Sequence, residues 1–135
     1  CRDPFSYVTS NEPKRYVWTP YIRNLGGGYA GVGSDQNYDF VALAKSEWVW
    51  LYDYDPNVYR LHAMLKPLII EAETPEELVK LFAPNSVSKA HALIDKHYSA
   101  DLGSKKLKAF YSGYRNRLYN HYNRSLNKKT KYDLE

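Results

Sequence analysis

Residues 26–55 read GGGYAGVGSDQNYDFVALAKSEWVWLYDYD, and the order of features in this stretch decides the fold. Gly26, Gly27 and Gly28 break the chain, because successive glycines free φ at an entropic cost. Tyr29 to Val32 reads as a short buried strand with Gly31 inside it and Gly33 just after it. A glycine in such a place marks close approach by a ligand or a packed helix. Ser34 or Asp35 can cap the next helix, expected over residues 37–46 with Phe40, Val41, Leu43 and Ala44 on its apolar side. WVWLY at 48–52 is continuous, apolar and short, so it reads as a second buried strand. Two acids, Asp53 and Asp55, follow it. Strand, helix and strand in this order predict a parallel pair with a right-handed crossover, half of an α/β nucleotide-binding unit.

Working outward, residues 1–15 (CRDPFSYVTSNEPKR) read as an irregular arm with a turn at Ser10-Asn11-Glu12-Pro13. Pro20 argues against a central strand and suits the first position of a short helix beginning near Thr19. Downstream, Pro56 opens a helix over 56–73. Val58, Leu61, Leu65, Leu68 and Ala72 form its apolar stripe, widened by Met64 and Ile69. Pro67 is expected to kink or break it. Thr74-Pro75-Glu76-Glu77 is a strong helix start, with Thr74 as cap and Glu77 as the capping-box acid. Ala83-Pro84-Asn85 ends that helix, and Ser86 or Ser88 caps another to about Tyr98, which Gly103 breaks. The last segment, 104–128, is a long amphipathic helix along Leu107, Tyr111, Tyr114, Leu118, Tyr122 and Leu126.

The expected organisation is a single domain: an arm (1–25), a βαβα core (26–73) and a helical segment (74–135). Its class is α/β with few parallel strands and a helix-rich C-terminal half. Two strands alone make a poor sheet. A missing remainder of a longer chain, a partner chain or a third strand within 1–25 is expected to complete it.

Composition narrows the function. The 135 residues suffice for one domain with a core, and 44% apolar with 25% charged residues is ordinary for a globular protein. No run approaches the roughly 18 apolar residues of a membrane-spanning helix. The single Cys rules out an internal disulfide and a multi-Cys zinc site. His62, His91, His97 and His121 lack metal-ligand spacing, so no metal is expected, and His62 reads as a core-edge histidine. No Ser/His/Asp or Cys/His arrangement emerges, so the catalytic residues remain unassigned.

Charge is polarised. Residues 1–103 carry ten Lys/Arg against 13 Asp/Glu, and residues 104–135 carry nine against two. Basic residues of the last helix, from Lys105 to Lys131, interleave with tyrosines, a composition that could bind phosphates and stack on bases or meet an anionic membrane. The tyrosines fall on the apolar stripe, however, which favours a core role and makes nucleic acid the weaker reading. Cys1 at the start matches a lipidated bacterial lipoprotein terminus, and a cloning boundary or clipped fragment equally well. Leu134-Glu135 matches the scar before a purification tag.

Three segments carry a resemblance: Ser10-Asn11-Glu12; then Tyr29, Gly31, Val32, Gly33, Gln36 and Asn37; then Asp53, with Leu61-His62 in the following helix. Over about residues 5–82 the chain resembles a family of uncharacterised bacterial proteins with a fold like that of S-adenosylmethionine-dependent methyltransferases. Six matched positions within nine residues make the motif fairly specific. Tyr54-Asp55-Pro56 departs from it, standing where the family has Ile-Arg-Arg. The family's proteins are also longer, and their later strands are not evident here.

The resemblance implies a partial Rossmann-like, methyltransferase-type unit binding S-adenosylmethionine or a related nucleoside ligand. Gly31, Gly33, Asp35, Gln36 and Asn37 would line the loop, and Asp53 would accept the ribose hydroxyls. Asp53 lies about 20 residues after the glycines, the interval such an acid requires. Residues 10–12 would form a lid over the site. The alternatives are structural: glycines used for packing, Gln36 and Asn37 satisfying backbone groups, and Asp53 and Asp55 as exposed strand-end acids. Beyond enzymology stand a non-catalytic binding or structural module, anchored to the cell envelope if Cys1 is lipidated, and a nucleic-acid binder acting through 104–131. A working methyltransferase is expected in the cytoplasm.

Overall fold

The computed structural model describes residues 7–10, 14–99 and 102–132. The chain divides into two compact units, 1–62 and 63–135.

The first unit is built on one parallel strand pair. A 3-10 turn, Arg15–Trp18, runs into the short helix α1, Thr19–Ile22, with Pro20 in its first turn. Strand β1 is Gly28–Val32 and β2 is Trp48–Tyr52, joined by α2, Gln36–Ala44. The register pairs Gly28 with Trp48 and ends with Val32 beside Tyr52. The turn before β1 uses Gly26 and Gly27 at φ +68° and +66°, left-handed values that favour glycine. Gly26 N–H donates to Ala44 O at 2.7 Å and Glu47 N–H to Gly27 O at 2.8 Å, clamping this turn against the end of α2. Lys45, left-handed at φ 55°, closes that helix. Arg15 pairs with Asp39 at 2.6 Å and ties the first 3-10 turn to α2.

Both strands depart from expectation in burial. Trp48, Trp50 and Tyr52 are exposed, as are Val32 and Val49. A fully apolar run reads as buried because a parallel sheet is normally covered on both faces. Here the described residues form a sheet of two strands, and α2 packs on the β1 part of one side of it. No third strand lies among the described residues of 1–25; Asn11, Glu12 and Pro13 of the expected turn fall outside them.

Helix α3, Pro56–Glu71, spans the division between the units and continues through Pro67, so the helix does not break there. Pro67 is itself fully buried. Helix α4, Pro75–Lys80, starts as the sequence predicts: Thr74 Oγ1 accepts Glu77 N–H at 3.1 Å. The Glu77 carboxylate accepts the N–H of Glu73, one residue before the cap, at 3.0 Å.

A 3-10 turn, Pro84–Ser86, leads to α5, Val87–Tyr98. Ser99 ends α5 in a left-handed conformation, φ 57°, and Gly103 falls inside α6, Leu102–Tyr132, instead of breaking a helix. The core of the second unit gathers Phe82, Ile94, Leu107, Tyr111 and Leu118 between α4, α5 and α6. Phe82 stacks on Tyr111 at 5.8 Å between ring centroids, and the Tyr111 hydroxyl donates to Leu81 O at 2.6 Å. Tyr111, one of the tyrosines on the apolar stripe, is therefore structural. Asp95 accepts from Lys108 at 2.7 Å and also from Ser104, and these hydrogen bonds hold its carboxyl below the ordinary Asp value.

Candidate functional site

Ligands of parallel α/β units bind at the carboxyl ends of the strands. One residue beyond the last strand pair, Val32 and Tyr52, come Gly33 and Asp53, at the same end of the sheet. The β1–α2 loop, Gly33-Ser34-Asp35, and the β2–α3 loop, Asp53-Tyr54-Asp55, form the rim around them.

Asn37 organises the first loop. Its side-chain amide donates to the carbonyls of Val32, Gly33 and Ser34 at 3.2, 3.2 and 2.9 Å. Its Oδ1 accepts the Tyr29 hydroxyl at 2.6 Å. The residue is 2% exposed, so its polar atoms serve the loop itself. Gly31 belongs to the same arrangement. A Cβ there would overlap Asn37 Oδ1 and lie 2.6 Å from Tyr29 Cε1, so the missing side chain makes room for that hydrogen bond. Gly33 is left-handed at φ +89° and lets the chain turn from β1 into α2.

Gln36 also bends back: its amide donates to Val32 O at 3.3 Å, and its oxygen accepts from Ser34 Oγ at 3.1 Å. Asp35 occupies the N-cap position of α2 with no side-chain cap hydrogen bond, while its carbonyl accepts the Tyr38 N–H at 3.1 Å. Its Oδ1 accepts the Ser10 N–H at 2.7 Å and Ser34 Oγ at 3.2 Å. The Ser10 contact fastens the arm onto the loop.

On the second loop, Asp53 Oδ1 accepts the Asp55 N–H at 2.8 Å, and Asp55 Oδ1 accepts the Asn57 N–H at 2.8 Å. Asp55 thereby caps α3. Asp53 makes a local turn with one carboxylate oxygen.

His62, which the sequence marks as a core-edge histidine outside the expected ligand-binding set, is half-buried and braces the glycine loop. Its Nε2 lies 2.8 Å from Gly33 O and its Nδ1 3.0 Å from the Tyr38 hydroxyl. The carbonyl can only accept, so Nε2 carries the proton and Nδ1 accepts from Tyr38. Burial lowers the His62 pKa below 6.5, while the Gly33 carbonyl and the charges of Asp35 and Asp53 act in the opposite direction. The ring is thus a neutral brace between α2, α3 and the glycine loop. The signal available in the sequence was positional. A helix starting at the carboxyl end of a strand keeps its first two turns near that edge, and His62 lies in the second turn of α3.

Of the expected site residues, the fold gathers all six around one strand edge. Gly31, Asn37, Gln36 and Asp35 direct their special properties inward or onto the arm; Gly33 and Asp53 follow β1 and β2 at the same end of the sheet. An apolar cavity of about 220 Å³ lies elsewhere, at the opposite end of β1, lined by Trp18, Ile22, Leu25, Tyr29, Phe40 and Ala44. That is smaller than the several hundred Å³ usual for a small-molecule site. Among the described residues no three His, Cys, Asp or Glu side chains group to hold a metal, and no helix is long and apolar enough to cross a membrane.

These features define a helix-rich α/β chain built on a single parallel βαβ unit with a braced glycine loop. The chain belongs to the DUF7790 family, a domain of unknown function whose model matches residues 7–135. No curated protein matches it.

Proposed function

We propose that the carboxyl edge of β1 and β2 binds a nucleoside-type ligand of the S-adenosylmethionine class, in a methyltransferase-like, Rossmann-like unit. The observation that carries this reading is the placement of Asp53 immediately after β2, at the same sheet end where the left-handed Gly33 follows β1. An acid in that place accepts a ribose diol, and a glycine at the same sheet end lets backbone approach a ligand.

The residues present fit such a group in part. Asp53 retains acceptor capacity beyond its bond to Asp55 N–H, and Gly33 carries no side chain. Asn37 is spent within the loop, and Gly31 serves packing. S-adenosylmethionine, when bound, would supply an activated methyl group. The chain's own contribution is to hold the ribose at Asp53 and to fix the loop through Asn37 and His62. A transfer enzyme needs little beyond alignment of donor and acceptor, so a short list of polar groups is compatible with the reading.

The inward commitment of Asn37, Gln36 and Asp35 favours a second reading, a non-catalytic binding or structural module on the same scaffold. Calorimetric titration with S-adenosylmethionine and S-adenosylhomocysteine separates the two. Asp53→Asn keeps the oxygen that accepts Asp55 N–H and removes the charge. Micromolar binding weakened at least tenfold in Asp53→Asn supports the first reading. Absence of binding to a folded chain at millimolar ligand supports the second.

A further inference from the structure

The β1/β2 sheet has two faces, and α2 packs on the β1 part of one. Side chains alternate along a strand, so Tyr29 and Gly31 share a face with Val49 and Leu51, and α2 packs there through Asn37. The opposite face carries Gly28, Ala30 and Val32 beside Trp48, Trp50 and Tyr52. The three aromatics are 65%, 62% and 60% exposed and Val32 is 53% exposed. Trp50 leans across β1, since a Cβ on Gly28 would lie 3.4 Å from its Cζ3. The aromatic surface therefore spreads over both strands.

We propose that this face is the self-association surface of the chain, packing on the same face of a second copy about a two-fold axis. Parallel sheets occur with both faces covered, and a patch of this kind on a soluble domain marks an interaction site. Taking about 200 Å² for each aromatic side chain, the three expose about 400 Å² per copy. With Ala30 and Val32 included, two copies bury on the order of 1,000 Å², the lower bound of a specific interface.

The chemistry of the face selects the occupant. None of its six residues is charged, and the flanking Glu47, Asp53 and Asp55 repel phosphates and anionic headgroups. An uncharged apolar face can meet its own copy, the requirement of an isologous contact.

Sedimentation velocity on the full chain, from low micromolar to sub-millimolar concentration, tests this directly. The expected result is a monomer–dimer equilibrium in the micromolar range, weakened at least tenfold by Trp50→Lys and unchanged by Tyr59→Lys, at an exposed position on α3. Far-UV circular dichroism checks that the variants fold. Tyr52→Lys serves as a second variant, and acrylamide quenching of wild-type tryptophan fluorescence should fall as concentration rises. A monomer at every concentration overturns the proposal, as does an equal dimer in both face variants. Open-ended growth into larger species points to pairing at the strand edges and overturns it too. A monomer whose fluorescence responds to single-stranded DNA or anionic vesicles assigns the face to those partners instead.

Discussion

Gly31→Ala is the substitution whose cost follows most closely from the geometry. The added methyl would overlap Asn37 Oδ1 and stand 2.6 Å from Tyr29 Cε1 and 2.9 Å from Asn37 Cγ. Neither neighbour can yield cheaply. The two amide protons of Asn37 are shared among three carbonyl oxygens, and Tyr29 is held to Asn37 by its hydroxyl. Overpacking of this kind costs about 1–3 kcal/mol, and separating Tyr29 from Asn37 adds about 1 kcal/mol. The expected destabilisation is about 3 kcal/mol. Gly28→Ala on the same strand is the control. Its Cβ meets only Trp50 at 3.4 Å, and restricting the unfolded chain there should stabilise by about 0.5 kcal/mol. Urea unfolding followed by tryptophan fluorescence suits both, because Trp18, Trp48 and Trp50 all lie in the first unit. A Gly31→Ala midpoint corresponding to less than about 1 kcal/mol, or a Gly28→Ala cost equal to it, would refute the packing argument.

Asn37→Asp should cost about 2–3 kcal/mol, because it turns a carboxylate toward three carbonyl oxygens; the same urea assay reads it. His62 makes the stability of the first unit dependent on pH. Its folded pKa is depressed below 6.5, so its contribution is complete above that value and is lost as pH falls through the folded pKa. The urea midpoint should therefore drop as pH falls below about 6.5, and His62→Phe should flatten that part of the profile. In the second unit, Tyr111→Phe removes the hydroxyl that donates to the Leu81 carbonyl and should cost about 1–2 kcal/mol by thermal melting.

The scaffold was legible in the sequence where local chemistry decides structure. WVWLY forms β2 at its expected bounds, and Thr74-Pro75 starts α4, because strand propensity and helix capping act over a few residues. Gly103 fails as a break because Ser99 has already ended α5, leaving the glycine to be absorbed in a long helix. Exposure of Trp48 and Trp50 was not legible, since a hydrophobic run tells what could be buried and not whether anything covers it. The loop residues were legible as a group. Their division of labour was not: Asn37 and Gly31 act together through contacts eight and fewer residues apart that only the turn geometry brings together. His62, 29 residues from Gly33, has no local signal for its bond to that carbonyl.

The most direct test of the nucleoside-site reading is backbone amide mapping by ¹H–¹⁵N NMR during titration with S-adenosylhomocysteine. Saturable shifts concentrated at Gly33, Ser34, Asp53 and Tyr54, lost in Asp53→Asn, are the expected result. Shifts confined to Trp18, Ile22 and Phe40 around the apolar cavity, or no shifts at millimolar ligand, would contradict it.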